Sequence, residues 1–204
     1  MNLSVKAGLQ TAKEYLDTNV LISYQVGREK DPKYFPLAQD IFREIIVGKY
    51  IGVVSFVTLM EAVNVFRRIK TEELRVLGIT DSNQQTEYVK NESRFLYSEL
   101  VQKLLETRGN IRLEECKTVS ISSFLSTSLD MVQQYYGTVK TYNNCKQCKS
   151  NIPHHVHKAV GPLDVLHVFI AKALRCKYLI TFDKGFKDII NDQRIKPLEI
   201  KVIE

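Results

Sequence analysis

The chain has 204 residues, 44% apolar and 25% charged, with a formal net charge of +6 and an isoelectric point near 9.0. This is the composition of a soluble globular protein with one ample core, and the basic balance favours a polyanionic partner. No run of about 18 uncharged apolar residues occurs, so no transmembrane helix is expected. The first residues lack an apolar core followed by a small-residue cleavage site, so a signal peptide is not expected and the cytoplasm is the expected location. Cys116, Cys145, Cys148 and Cys176 are too few and too unevenly spaced for a disulfide scaffold.

In chain order, residues 1–12 read as a lead-in and Lys13–Asp17 as a short strand, with Thr18 or Asn19 placed to cap a helix. Gly27–Pro36, charged and holding two prolines, reads as a loop. Leu37, Ile41, Phe42 and Ile45 predict a helix over 37–47 that Gly48 stops. The β-branched run Ile51–Val54 predicts a second strand. Ser55 or Thr58 then starts a helix with Leu59, Val63, Phe66 and Ile69 on one face and Glu61 in its first turns. A lone acid there is also what the helix dipole favours, just as Arg67, Arg68 and Lys70 suit a helix end.

After a break near Gly78, the spacing of Val89, Leu96, Leu100 and Leu104 predicts a further helix whose apolar stripe suits a core or a dimer interface. A short strand is expected over 117–121 and an amphipathic helix over 122–136. Gly137–Gly161 breaks the pattern. From Met131 to Leu163 there is no acid, while Lys140, Lys146, Lys149 and Lys158 all fall inside. A stretch of that length without structure is either functional or poorly ordered. Pro162 suits the first turn of a buried helix over 163–174, with Asp164 and His167 on one face. Cys176 is expected as a small core residue in an apolar helix. Tyr178–Phe182 reads as a strand with Asp183 just past it, and 198–203 as a final edge strand. Strands alternating with helices predict an α/β domain with a mostly parallel sheet. It would span 13–204, with a helical insertion at about 71–110 and a basic loop at about 137–161.

Asp17 and Asp183 follow strands, and parallel strands carry such residues to one edge of the sheet. Asp164 begins a helix that faces the same edge. Clustered carboxylates repel unless cations or protons offset them. Oxygen clusters suit Mg²⁺ or Mn²⁺, which take phosphate oxygens as further ligands and activate water for in-line phosphodiester cleavage.

These residues resemble a known family. Leu16-Asp17-Thr18-Asn19-Val20-Leu21 looks like the opening of PIN-domain nucleases, VapC-type toxins among them. Glu61 within Leu59-Met60-Glu61-Ala62-Val63 is similar to the family's second acid. Asp164-Val165-Leu166-His167, with Ala171, and then Leu179-Ile180-Thr181-Phe182-Asp183 resemble its C-terminal signature. The resemblance implies a three-layer α/β/α sandwich and a metal-dependent ribonuclease. Asp17, Glu61, Asp164 and Asp183 would hold Mg²⁺ or Mn²⁺, while Asn19 and Thr181 would orient them. A VapC-type member would be a homodimer silenced by an antitoxin, although this chain is longer than that type. A catalytically silent RNA-binding or assembly module, or a nuclease directed at DNA or at particular structures, would share the same motifs.

His167 reads as a hydrogen-bonded helix histidine or as a catalytic group. Cys145 and Cys148, with His154 and His157, have the donor types of a structural zinc knuckle, although isolated Cys-x-x-Cys pairs also occur in plain loops. Lys146 and Lys149 suit sequence-blind phosphate contacts with RNA, as Arg67, Arg68 and Lys70 would, or else are solvated cations.

Overall fold

The computed structural model describes residues 11–78, 82–107, 109–115 and 160–204, positions 127, 130, 131 and 134, and the pairs 141–142 and 154–155. Its strands are Lys13–Leu16 (β1), Ile51–Ser55 (β2), Ile111–Glu114 (β3), Thr141–Tyr142 (β4), His154–His155 (β5), Tyr178–Thr181 (β6) and Glu199–Val202 (β7). Five of them form an all-parallel sheet in the order β3-β2-β1-β6-β7, and β4 and β5 form a separate antiparallel pair. The helices are Thr18–Lys30 (α1), Phe35–Ile46 (α2), Phe56–Val76 (α3), Ser82–Leu105 (α4) and Pro162–Ala173 (α5). The chain winds outward from β1 to β2 and β3, then returns to the far side of β1 to lay down β6 and β7. The order therefore reverses between β1 and β6, and open parallel sheets bind ligands at the carboxyl ends of strands at such a reversal.

Side chains alternate across a strand, so each central strand feeds two cores. Tyr15, Val53 and Leu179 point to a core shared with Val165, Val168 and Ala171 of α5. Leu16, Val54 and Ile180 point to the opposite core, with Val20 and Leu21 of α1, Phe42 of α2, Phe66 of α3 and Leu100 of α4. The result is the three-layer α/β/α sandwich. Burial on both faces is why β2 and β6 read as short apolar runs, whereas β1 brings Lys13 and Glu14 before the buried Tyr15 and Leu16.

Local chemistry sets the element ends. Ser55 caps α3 by accepting the Thr58 N–H at 3.2 Å. Gly48 ends α2 at φ +80°, where a Cβ would be strained. In the core, a Cβ on Gly52 would meet Ile45 Cδ1 at 3.0 Å and Ile111 Cγ1 at 3.1 Å, so only glycine lets α2 and β3 approach β2 this closely.

Several expectations are corrected. α1 continues to Lys30 through a kink at Gly27, so the segment from 27 to 30 is not loop. β3 lies at Ile111–Glu114, where no strand was expected, and the expected strand at 117–121 lies outside the described residues. α3 runs on to Val76, and α3 and α4 together form the crossover from β2 to β3. Cys176 sits in the turn after α5, not in the helix, and is buried. Lys70 is also buried, bonded to Glu73 at 2.9 Å and paired with Glu92 at 3.4 Å, so it is not a solvent-facing cation. Among the described residues, no helix is long and apolar enough to cross a membrane.

Candidate metal centre

Asp17 is the residue that leaves β1 and caps α1. Its Oδ1 accepts the Thr18 N–H at 2.7 Å. Its Oδ2 accepts from Asn19 Nδ2 at 2.7 Å and from Thr181 Oγ1 at 2.6 Å. The Asn19 amide also donates to Thr181 Oγ1 at 2.9 Å and accepts the Phe182 N–H at 3.1 Å. The first turn of α1 is thereby tied to the end of β6, with Asp17 gripped between them. Burial pushes the Asp17 carboxyl up, against His167, Thr181 and the Thr18 N–H, which favour the ionised form, while Glu61 adds repulsion.

Glu61 comes from the second turn of α3. Its Oε2 accepts from Thr18 Oγ1 at 2.6 Å and from His167 Nε2 at 2.8 Å. The His167 hydrogen bond, opposed by burial and helped by Thr18, holds this carboxyl below its ordinary range. Burial alone would lower the His167 pKa, but the Glu61 hydrogen bond and the charges of Asp17, Glu61 and Asp164 raise it instead.

Asp164 sits in the first turn of α5, where its Oδ2 accepts the Gly161 N–H at 2.6 Å. Burial, with repulsion from Asp17 and Asp183, pushes this carboxyl up to about 6 against the Gly161 N–H and His167. Asp183, exposed after β6, donates its backbone N–H to Thr181 Oγ1 at 2.9 Å and accepts the Gly185 N–H at 2.7 Å.

Asp17, Glu61, Asp164 and Asp183 line one cleft of about 420 Å³ at the β1–β6 reversal, with Thr18, Asn19, Tyr34 and Arg68. Asp17, Glu61 and His167 each offer a donor atom within 4.8 Å of the others. The Asp17 and Asp164 carboxyls, whose ionisation burial and neighbouring acids disfavour, fit a hard divalent cation, which would relieve both. Thr181 and Asn19 bond Asp17 directly. Thr18, Tyr15, Ser55 and Thr58, which also bear on the acids, escape sequence reasoning. Tyr15 did offer a signal, because a tyrosine in a strand buried on both faces needs a partner for its hydroxyl.

Cys145, Cys148, His157, Lys146 and Lys149 lie outside the described residues, and of His154 only its backbone place in β5 is described.

Compared with known proteins, the chain finds no match among curated proteins. It is similar to a chain in the crystal structure of VapBC2 from Rickettsia felis bound to a DNA fragment from their promoter. That similarity has a TM-score of 0.46 and 12% identity and covers 94% of this chain and 99% of that one. The family described as PIN domain matches residues 15–191, a stretch that runs from β1 through the acid-lined cleft to the turns after β6. The chain therefore belongs to the PIN domain family.

Proposed function

We propose that this protein is an endoribonuclease dependent on Mg²⁺ or Mn²⁺. PIN domains are typically nucleases, and the observation that carries the finer reading is the convergence of four acids on one cleft at the reversal of the sheet. Asp17, Glu61, Asp164 and Asp183 would hold the cation, which supplies an activated water and neutralises charge on the phosphate during in-line displacement. The chain's own groups do the rest. Asn19 and Thr181 hold Asp17 Oδ2, and Thr18 and His167 hold Glu61 Oε2, so both carboxylates are oriented in advance. Asp164, pushed up to about 6, sheds its proton as pH rises through that value and would then be free to hold the cation. Arg68, exposed at the cleft, suits a backbone phosphate.

RNA as substrate, an antitoxin partner and a homodimer come from the likeness of the motifs to VapC-type toxins. Four carboxylates do not report a 2′-hydroxyl. The test is hydrolysis of labelled RNA, single-stranded DNA and a flap substrate, with and without EDTA, by wild type and Asp17→Asn. Cleavage of RNA alone, abolished by EDTA and by the substitution, is expected. Equal cleavage by the variant overturns the mechanism, preference for DNA overturns the substrate, and RNA binding without cleavage leaves a silent module. Size-exclusion chromatography of the protein, alone and co-expressed with a neighbouring gene product, tests the dimer and the antitoxin.

A further inference from the structure

Beneath the cleft lies a hydrogen-bonded column that an acid cluster alone does not require. Tyr15 Oη lies 2.7 Å from Ser55 Oγ, 2.9 Å from Thr58 Oγ1 and 2.8 Å from His167 Nδ1. His167 Nε2 reaches Glu61 Oε2 at 2.8 Å. Tyr15, Ser55, Thr58 and His167 are at most 2% exposed. Polar groups buried this deeply are costly unless every one is satisfied, and a fully satisfied network is rigid.

The donor inventory gives the column a direction. An ionised Glu61 carboxylate only accepts, so the proton shared with it belongs to Nε2. In the neutral imidazole Nδ1 then accepts from the Tyr15 hydroxyl, whose oxygen can accept from Ser55 or Thr58. Glu61 Oε2 takes both His167 Nε2–H and the Thr18 hydroxyl at 2.6 Å. Among the described residues, no hydrogen bond engages Glu61 Oε1, and Glu61 lines the cleft. The nearest Asp17 oxygen is 3.9 Å from His167 Nε2, beyond hydrogen-bond reach, so the imidazole acts on Glu61 rather than bridging the two acids.

We infer that His167 and Tyr15 are positioning residues that pin Glu61 through Oε2 and so present Oε1 to a cation in the cleft. This rests on the metal-site reading above. Three elements meet in it, β1 through Tyr15, α3 through Glu61 and α5 through His167, so the orientation of one ligand depends on the packing of α5 against the sheet. His167 is not itself a ligand, because its Nε2 proton is committed to Glu61.

The test is Mn²⁺ affinity, followed by titration calorimetry and by the Mn²⁺ electron paramagnetic resonance signal. It compares wild type, Asp17→Asn, His167→Gln, His167→Leu and Tyr15→Phe, with thermal melting as the check on folding. A glutamine amide places an N–H donor where Nε2 stood and cannot replace an imidazole as a metal ligand. His167→Gln should therefore stay within about twofold of wild type, and His167→Leu should bind about 10- to 100-fold more weakly. Tyr15→Phe should fall between them. If His167→Leu does not fold, near-wild-type affinity of His167→Gln together with the Tyr15→Phe loss carries the inference alone. Equal losses in His167→Gln and His167→Leu would overturn it in favour of direct ligation. Wild-type affinity in every His167 and Tyr15 variant, with loss only in Asp17→Asn, would overturn it and leave the metal site standing. Absence of Mn²⁺ binding by the wild type would sink the metal-site reading itself, and the inference with it.

Discussion

At the scale of single residues, the cleft is a balance between burial, which resists charge, and a small set of donors that restore it. Asp164 shows the balance most plainly. Its carboxyl is pushed up to about 6, chiefly by burial. Below that pH it holds a proton and cannot ligate. Mn²⁺ affinity should therefore rise as pH increases through about 6 and level off above it, which titrations from about pH 5 to about pH 8 will show. The stability effect in the metal-free protein has the opposite sense. A carboxyl raised from 3.8 stabilises the fold while protonated, and that contribution is lost as pH rises through about 6. Asp164→Asn, always neutral, should melt above wild type at neutral pH without divalent ions, by on the order of 1 kcal/mol. Thr181→Val keeps the shape but removes the donor to Asp17 Oδ2. It should weaken Mn²⁺ binding by about tenfold and also destabilise the fold by about 1–3 kcal/mol, because the Asn19 amide and the Asp183 N–H lose the oxygen they donate to. Elsewhere, burial pushes the Cys176 thiol up to about 12, so it has almost no thiolate at neutral pH. Its peptide should stay unlabelled by iodoacetamide in the native protein and become labelled in denaturant, as peptide mass mapping will show.

At the scale of elements, the close approach at Gly52 offers the sharpest prediction. An added methyl would press on Ile45 and Ile111 from both sides. Gly52→Ala should destabilise the fold by about 1–3 kcal/mol, read from denaturant melts, through overpacking rather than lost contacts. The same strands show what sequence reveals. β1, β2 and β6 lie inside the sheet, and β2 and β6 announce themselves as short apolar runs, while β1 offers only Tyr15 and Leu16 after two charged residues. β3 is an edge strand in which Ile111 is buried while Arg112 and Leu113 are exposed, and it carries neither an apolar run nor a clean alternation. The end of α1 was hidden because Gly27 and the charges after it carry loop chemistry, yet the helix resumes past its kink. For the site, acids at strand ends and in first helical turns were legible because those positions converge on one edge of a parallel sheet. The contact between Tyr15 and His167, 152 positions apart, was not, since no local pattern encodes which buried hydroxyl meets which imidazole.

At the scale of the whole molecule, the chain carries a net charge of +6 while its cleft is lined by four acids, so the net charge and the site have opposite signs. A polyanion attracted by the net charge would be repelled at the cleft until a cation offsets the carboxylates. Binding should also be visible as global stability. Mn²⁺ at about 100 times its dissociation constant should add about 2.7 kcal/mol to wild type and almost nothing to Asp17→Asn, as thermal melts will show. On the proposed function, Asp17, Glu61, Asp164 and Asp183 would form one cation site at the β1–β6 reversal. Its most direct test is anomalous diffraction from crystals soaked in Mn²⁺. An anomalous peak is expected within the cleft, in contact with the Asp17 and Asp164 carboxylates. A peak elsewhere, with the cleft empty at a Mn²⁺ concentration that supports cleavage, would contradict it.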